Sequence, residues 1–355
     1  MHDLEKPLTS LTDYRRLGNS GLRVSPLCLG TMTFGTKWER LMGQCSRDAA
    51  EAMFSTYVDN GGNFIDTANK YQEGETEEWL GDFLARHGGR DELVIASKYS
   101  LPLPMGNVNF AGNHRKNMFQ ALEASLKRLQ TSYIDVYYVH FWDHSTPEVE
   151  IMRGLDDLVR SGKVMYVGIS DTPAWEVARC NTIAEHFGWT PFISYQGRHN
   201  IGDRSMEREI IPMCRKLGLG VCPWSVLGAG KYTGRHQKPD SKLAGASGRK
   251  GVKMGDRDYN IVEEVLAISE ETKKTPTQVV LNWELQQPGI CAPILGLRKM
   301  SHLVDNLKAM EFTLSPDHIG RLNDVAKFDL GFPLDFIGTS YETCPWVNWQ
   351  VPDAE

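Results

Sequence analysis

Short apolar runs alternate with amphipathic segments of helical length eight times along this chain, and few folds accept that order. The runs occupy residues 26–31, 63–68, 93–99, 134–140, 164–170, 192–196, 220–227 and 291–297. They are rich in Val, Ile and Tyr, and most are continuous, the pattern of parallel strands covered on both faces. Between them, 48–60, 75–87, 115–129, 148–161, 174–187, 206–217, 258–272 (continuing over 276–286) and 301–309 repeat apolar residues at helical spacing. Ser46 and Thr76 are candidate N-caps, and Gly61, Gly88, Gly162, Gly188 and Gly218 stand at helix exits. This order predicts an α/β fold, a (β/α)8 TIM barrel, as one domain over 1–355 with a short hairpin at 14–24. A doubly wound sheet would usually carry a Gly-rich fingerprint after its first strand, and no G-x-G-x-x-G occurs.

Two segments fall outside the repeat. Residues 229–257 are rich in Gly, Lys and Arg and follow the seventh run. A barrel often binds phosphate near strands seven and eight, so this basic loop is expected to serve a ligand as well as the surface. Residues 328–355 carry Phe328, Phe332, Phe336, Tyr341, Trp346 and Trp349 after a helical stretch at 316–327. A tail this aromatic is expected to pack on the barrel or overhang its mouth.

Composition narrows the partners. Hydrophobic residues make up 41% and charged residues 24%, as in ordinary globular proteins, and the net charge of −6 argues against nucleic acid or an anionic membrane. The seven cysteines form no C-x-x-C pair and sit mostly in apolar runs, which reads as reduced thiols in a cytoplasmic protein without a structural zinc. No stretch reaches the ~20 apolar residues of a membrane span. The expected partner is a small molecule; no pattern speaks to oligomeric state.

Four polar residues end three successive runs. Asp66 closes Asn63-Phe-Ile-Asp-Thr-Ala68, with Tyr71 five residues on; Lys98 ends the third run and His140 the fourth. Polar groups at the C-terminal ends of barrel strands converge on one rim, where such barrels place their active sites. An acid, a phenol, an amine and an imidazole suit proton transfer to a carbonyl oxygen. A tyrosine is a poor acid at its ordinary pKa of ~10, and a neighbouring ammonium lowers that value. Lys98 would activate Tyr71, Asp66 would hold Lys98, and His140 would donate a hydrogen bond to the substrate oxygen. Singly each has a plainer reading as cap, packing residue or solvated strand end; together on one rim they point to catalysis. Phe34, Trp38 and Trp142 are candidates for an aromatic substrate pocket, and Trp175 is expected to pack in the interior.

The chain resembles the aldo-keto reductases. The resemblance runs from Tyr14 to about Gly338 and rests on Leu29-Gly-Thr-Met32, Asn63 to Ala68 followed by Tyr71, Ser97-Lys98, Val139-His140, Gly168-Ile-Ser170, Tyr195-Gln196 and Trp224-Ser225-Val-Leu227. Within the family, Lys98-Tyr-Ser100, Tyr138-Val-His-Phe-Trp-Asp143 and Val167 to Trp175 are similar to the fungal aryl-alcohol dehydrogenase and norsolorinic-acid-reductase-like branch. The resemblance implies an NADP(H)-dependent oxidoreductase that reduces aromatic or polyketide-derived aldehydes and ketones without a metal. Tyr71 then matches the proton donor, and Lys98, Asp66 and His140 the rest of the tetrad. Gly30, Thr31, Met32 and Asp66 match contacts at the nicotinamide end. Ser170, Asp171 and Gln196 match carboxamide contacts, although many relatives carry Asn where this chain has Asp171. Trp224 matches the aromatic that stacks on the nicotinamide. Ser225, Leu227, Gly228 and Arg235 match the pyrophosphate loop. Gly296, Arg298, His302, Asp305 and Asn306 match the end that takes the 2′-phosphate and adenine, and an Arg at a helix start suits such a phosphate.

A second reading is a regulatory subunit of the potassium-channel β type that holds NADPH as a sensor. Those relatives vary at the tetrad histidine, which His140 preserves here. A short-chain dehydrogenase would need Y-x-x-x-K, which none of the twelve tyrosines begins.

Overall fold

A computed structural model describes residues 7–236, 253–339 and 343–344. Strands β1 (Arg15–Arg16) and β2 (Arg23–Val24) form an antiparallel hairpin. Eight parallel strands follow: β3 (Cys28–Gly30), β4 (Phe64–Asp66), β5 (Val94–Tyr99), β6 (Ile134–Val139), β7 (Val164–Ser170), β8 (Phe192–Gln196), β9 (Gly220–Val221) and β10 (Ile294–Gly296). Neighbours in sequence pair in order, and β10 pairs with β3. Between β9 and β10, Cys291 N–H donates to the Val221 carbonyl at 2.7 Å and Ile294 N–H to that of Pro223 at 2.9 Å. The ring of strands is therefore a (β/α)8 barrel, as the alternation predicted.

Side-chain parity divides the core into two layers. Cys28, Phe64, Val94, Ala96, Val136 and Tyr138 point into the barrel, where Leu17 and Val24 of the hairpin join them and plug its floor. Leu29, Ile65, Ile95, Tyr137, Val139, Val167 and Ile169 point outward and bury against the helices. Gly18 belongs to this floor. It sits at φ +60°, and a Cβ there would lie 2.3 Å from the Ile193 carbonyl oxygen, so only glycine fits.

The helices are α1 (Glu39–Met42), α2 (Arg47–Asp59), α3 (Glu75–His87), α4 (Arg115–Leu129), α5 (Glu148–Arg160), α6 (Ala174–Phe187), α7 (Ile210–Leu217), α8 (Asp256–Thr272), α9 (Pro276–Leu285), α10 (Met300–Leu307), α11 (Pro316–Val325) and α12 (Leu334–Ile337). Ser46 caps α2 by accepting from Ala49 N–H. Thr76 does not cap α3: Gly74 takes that place, and the buried Thr76 hydroxyl donates to the Phe34 carbonyl at 2.7 Å. The expected helix at 206–217 splits into a single turn at Ser205–Glu207 and α7, and Pro212 lies in the first turn of α7, where a missing N–H costs little. The last two apolar runs shorten to two and three residues of strand because Pro223 and Pro293 have no N–H for the ladder.

The start of the tail packs on the barrel. Phe328 lies beneath Arg204 and Arg208, and Arg208 donates to the carbonyls of Asp329 and Leu330. Tyr341, Trp346 and Trp349 lie outside the described residues, as do 237–252 of the basic loop. Six cysteines are buried, and Cys344 is half-buried. Among the described residues no helix is long and apolar enough to cross a membrane, and no cluster of His, Cys, Asp and Glu could hold a metal ion.

Candidate active site

The inward parity of β4, β5 and β6 delivers three polar side chains to the C-terminal rim. Asp66 follows Phe64, Lys98 follows Val94 and Ala96, and His140 follows Val136 and Tyr138, each two residues above its inward predecessor. Tyr71 reaches the same place from a one-turn helix at Tyr71–Gly74, in which Gln72 and Glu73 take left-handed backbone. That turn is fixed by Asn69, whose N–H donates to the Lys98 carbonyl at 3.0 Å and whose amide donates to that of Leu101 at 3.2 Å.

Lys98 is the hub. Its ammonium donates to Asp66 Oδ1 at 2.6 Å, the Thr67 carbonyl at 2.8 Å and the Tyr71 hydroxyl at 3.2 Å. All three N–H bonds are used, which is what makes a buried lysine tolerable. The second Asp66 oxygen accepts from Gln196 Nε2 at 2.7 Å. Burial disfavours the ammonium, but Asp66 and Tyr71 outweigh it and hold the Lys98 pKa above the usual lysine value. Burial also pushes the Tyr71 phenol above its usual value, and Lys98 opposes without cancelling it. Activation by the ammonium alone is thus not realised: Asp66 already neutralises much of its charge. The phenol carries its proton near neutral pH, the state an acid needs.

His140 stands edge-on to Tyr71, ring centroids 5.9 Å apart. Burial, reinforced by Lys98, depresses its pKa well below the usual histidine range. A neutral imidazole keeps one N–H to donate, and its buried Nδ1 has no partner among the described residues. A bracket from the loop between β5 and α4 holds its backbone. His140 N–H donates to Ser100 Oγ at 3.1 Å, and Ser100 Oγ donates to Asn113 Oδ1 at 2.5 Å. Asn113 Nδ2 in turn donates to the Phe141 carbonyl at 2.9 Å. Neither the support from Ser100 nor Asn113 is legible in the sequence, where both are polar residues in a stretch that folds as irregular loop.

A cavity of about 650 Å³ opens above this cluster. Gly30, Met32, Asp66, Tyr71, Lys98, His140, Ser170, Asp171, Gln196 and Trp224 line its floor end; Ser225, Leu227, Arg235, Gly296, Arg298, His302, Asp305 and Asn306 line the rest. Trp38 lines it too, joined by Met42, Thr33 and Leu101, which sequence reasoning did not single out. Trp38 is tied to the Tyr71 turn: its N–H donates to Gln72 Oε1 at 2.7 Å and its indole to Glu73 Oε1 at 3.0 Å. The far end is cationic. Arg235 contacts His302 at 3.4 Å, and burial together with Arg235, Lys299 and Arg298 lowers the His302 pKa. The Arg298 guanidinium fills the space beside Gly43, where a Cβ would meet it at 1.9 Å. Asp305 is held by Thr275 and Gln278 of the α9 capping box.

Four expected contacts lie off the cavity wall. Thr31 is buried beneath it, its hydroxyl donating to the Asp66 carbonyl at 2.8 Å. Gly228 (φ +57°) turns the loop instead, with Tyr232 packed where its side chain would go. Phe34 and Trp142 belong to the outer core between barrel and helices, so neither is a pocket residue here. Trp175 is the opposite case: expected inside, it is 59% exposed on the outer face of α6.

The chain is similar to known proteins over most of its length. The model of the Aldo/keto reductase family matches residues 26–327. The chain is 41% identical over 341 residues to norsolorinic acid reductase A of Aspergillus parasiticus, covering 94% of this chain and 86% of that protein. It is 39% identical over 349 residues to an NADP(+) aryl-alcohol dehydrogenase of Phanerodontia chrysosporium, covering 94% of this chain and 91% of that one. A putative aryl-alcohol dehydrogenase of Saccharomyces cerevisiae is 37% identical over 353 residues, 95% of this chain and 94% of its own.

Proposed function

This chain belongs to the aldo/keto reductase family, and we propose that it interconverts aromatic or polyketide-derived aldehydes and ketones with their alcohols, using NADP(H). One observation carries the reading: the Tyr71 hydroxyl, 3.2 Å from the Lys98 ammonium, faces a cavity whose other end is lined by Arg235, Arg298 and His302. NADPH has that asymmetry, an uncharged reactive ring at one end and a 2′-phosphate at the other. When bound, the reduced nicotinamide supplies a hydride to the carbonyl carbon.

The protein's own groups handle the oxygen. His140, neutral, donates a hydrogen bond that places it. Tyr71 gives its proton as negative charge develops there. The Lys98 ammonium stabilises the phenolate that remains, and Asp66 and Gln196 keep the ammonium in place. Thr31 and Thr67 act one step back, through the backbone carbonyls of Asp66 and Thr67. Trp224, Gln196 and Ser170 line the end that would take the nicotinamide, and the turn at Ser225–Gly230 would hold the pyrophosphate. Arg298 and His302 are assigned the 2′-phosphate, Asp305 and Asn306 the adenine side. Trp38, Met42 and Leu101 give the substrate an aromatic and apolar wall.

The test follows the absorbance of the reduced dinucleotide against aromatic aldehydes, quinones and polyketide ketones, with short aliphatic aldehydes for comparison. Aromatic substrates are expected to win by about tenfold or more in kcat/KM, since ring burial against Trp38 is worth of order 1–2 kcal/mol. NADPH should be preferred to NADH. Arg298→Ala should cut that preference by about ten- to a hundredfold, the worth of a charge-assisted hydrogen bond. Preference for short aliphatic aldehydes would contradict the substrate class, and equal losses for NADPH and NADH the role of Arg298.

A further inference from the structure

Three charged side chains meet at the reacting end of the cavity. Asp66 and Lys98 neutralise each other at 2.6 Å. The third, Asp171, has no ion-pair partner among the described residues. It sits at the corner after β7 in left-handed backbone (φ +42°), a conformation that Asp and Asn adopt more readily than other side-chain-bearing residues. Its N–H donates to the Gln196 carbonyl at 3.0 Å, which fixes it beside the residue that steadies Asp66. Its carboxylate lines the cavity and accepts the Trp224 indole N–H on Oδ1 at 3.1 Å. Arg198 lies over the Trp224 ring, 5.9 Å from its centroid, but is committed to Asp203 at 2.7 Å. Burial raises the Asp171 pKa, while the indole hydrogen bond, Lys98 and Arg198 favour the ionised form. Its charge is felt at Tyr71, which places it within electrostatic reach of the chemistry.

We propose that Asp171 is a redox-selectivity residue: its carboxylate beside Trp224, without an ion-pair partner among the described residues, favours the cationic, oxidised nicotinamide over the neutral, reduced one. The proposal rests on the dinucleotide reading above and adds a direction to it. In reduction, a hydride leaves the neutral ring for the carbonyl carbon, a proton leaves Tyr71 for the oxygen, and the ring is left with one positive charge. A fixed negative charge nearby stabilises that product and the transition state leading to it. It tightens the hold on the oxidised cofactor and shifts the bound equilibrium toward it. The phosphates are the same in both forms, so their repulsion from Asp171 cancels in the comparison.

Asp171→Asn isolates the charge. The amide oxygen still accepts from Trp224, the corner backbone still suits the side chain, and the volume is unchanged. NADP+ and NADPH are titrated separately into the wild-type and variant proteins, and thermal melting confirms that both are folded. The variant is expected to bind NADP+ about tenfold more weakly and NADPH within about twofold of wild type, the effect of one partly screened unit charge at close range. Parallel changes for both cofactors, or none for either, overturn the proposal while leaving the function reading intact. A wild-type protein that binds neither dinucleotide overturns the reading and the proposal together.

Discussion

Tyr71→Phe lowers kcat/KM for carbonyl reduction by about a thousandfold, within the 10²–10⁴ range of a positioned general acid. The size follows from what the phenol does and what the ring does not. Burial keeps the proton on the hydroxyl, and the Lys98 ammonium 3.2 Å away awaits the phenolate, so the transfer has an acid on one side and charge stabilisation on the other. Removing the oxygen deletes both. The ring remains packed edge-on against Trp38 and His140 at 6.4 and 5.9 Å, so the cavity keeps its shape. The variant should bind NADPH as the wild type does, and its loss should fall on kcat. A residual rate within tenfold of wild type, with folding intact, would assign the proton to another group.

Lys98→Met has the second large effect, and it is double. The ammonium makes three hydrogen bonds in a site where Lys98 is 1% and Asp66 3% exposed. Methionine matches its length but leaves the Asp66 carboxylate facing only Gln196. Breaking a buried pair from one side costs about 3–5 kcal/mol, so thermal melting should drop by several degrees. Activity should fall at least a hundredfold, because the developing phenolate loses its counter-charge. Adding Asp66→Asn separates the two effects. The double variant removes the stranded charge and should recover much of the melting temperature while remaining inactive. If the double variant melts no higher than Lys98→Met, the penalty is not electrostatic. If it regains activity, the ammonium is not part of the proton path.

The barrel was legible because continuous Val- and Ile-rich runs and amphipathic stretches obey two different periods; helices at 115–129 and 174–187 begin and end where the sequence predicts. The positions of Asp66, Lys98 and His140 were legible for the same reason, since parity along a buried strand carries inward residues onto the rim. Past the strand ends that parity stops. Phe34 and Trp142 follow the first and fourth strands, and nothing in their spacing shows that the chain turns them outward into the helix layer. Trp175 could have been placed. It shares a stripe with Arg179, Thr182 and His186, all spaced as one helical face, and that polar stripe is the outer one. Thr76 shows the reverse problem, a good capping residue used instead to bind the Phe34 carbonyl because the preceding left-handed turn lets Gly74 begin the helix. The balance at Tyr71 was not legible either, since it depends on how much of the Lys98 charge Asp66 consumes.

Hydride transfer to the carbonyl carbon can be followed with a deuterium atom. NADPH deuterated at C4 is incubated with the purified protein and an aromatic aldehyde, and the alcohol is examined by mass and by NMR. Deuterium is expected on the carbinol carbon, with no such product from Tyr71→Phe beyond a trace. Alcohol that carries hydrogen from water on carbon, or unreacted aldehyde with the cofactor bound and intact, would contradict it.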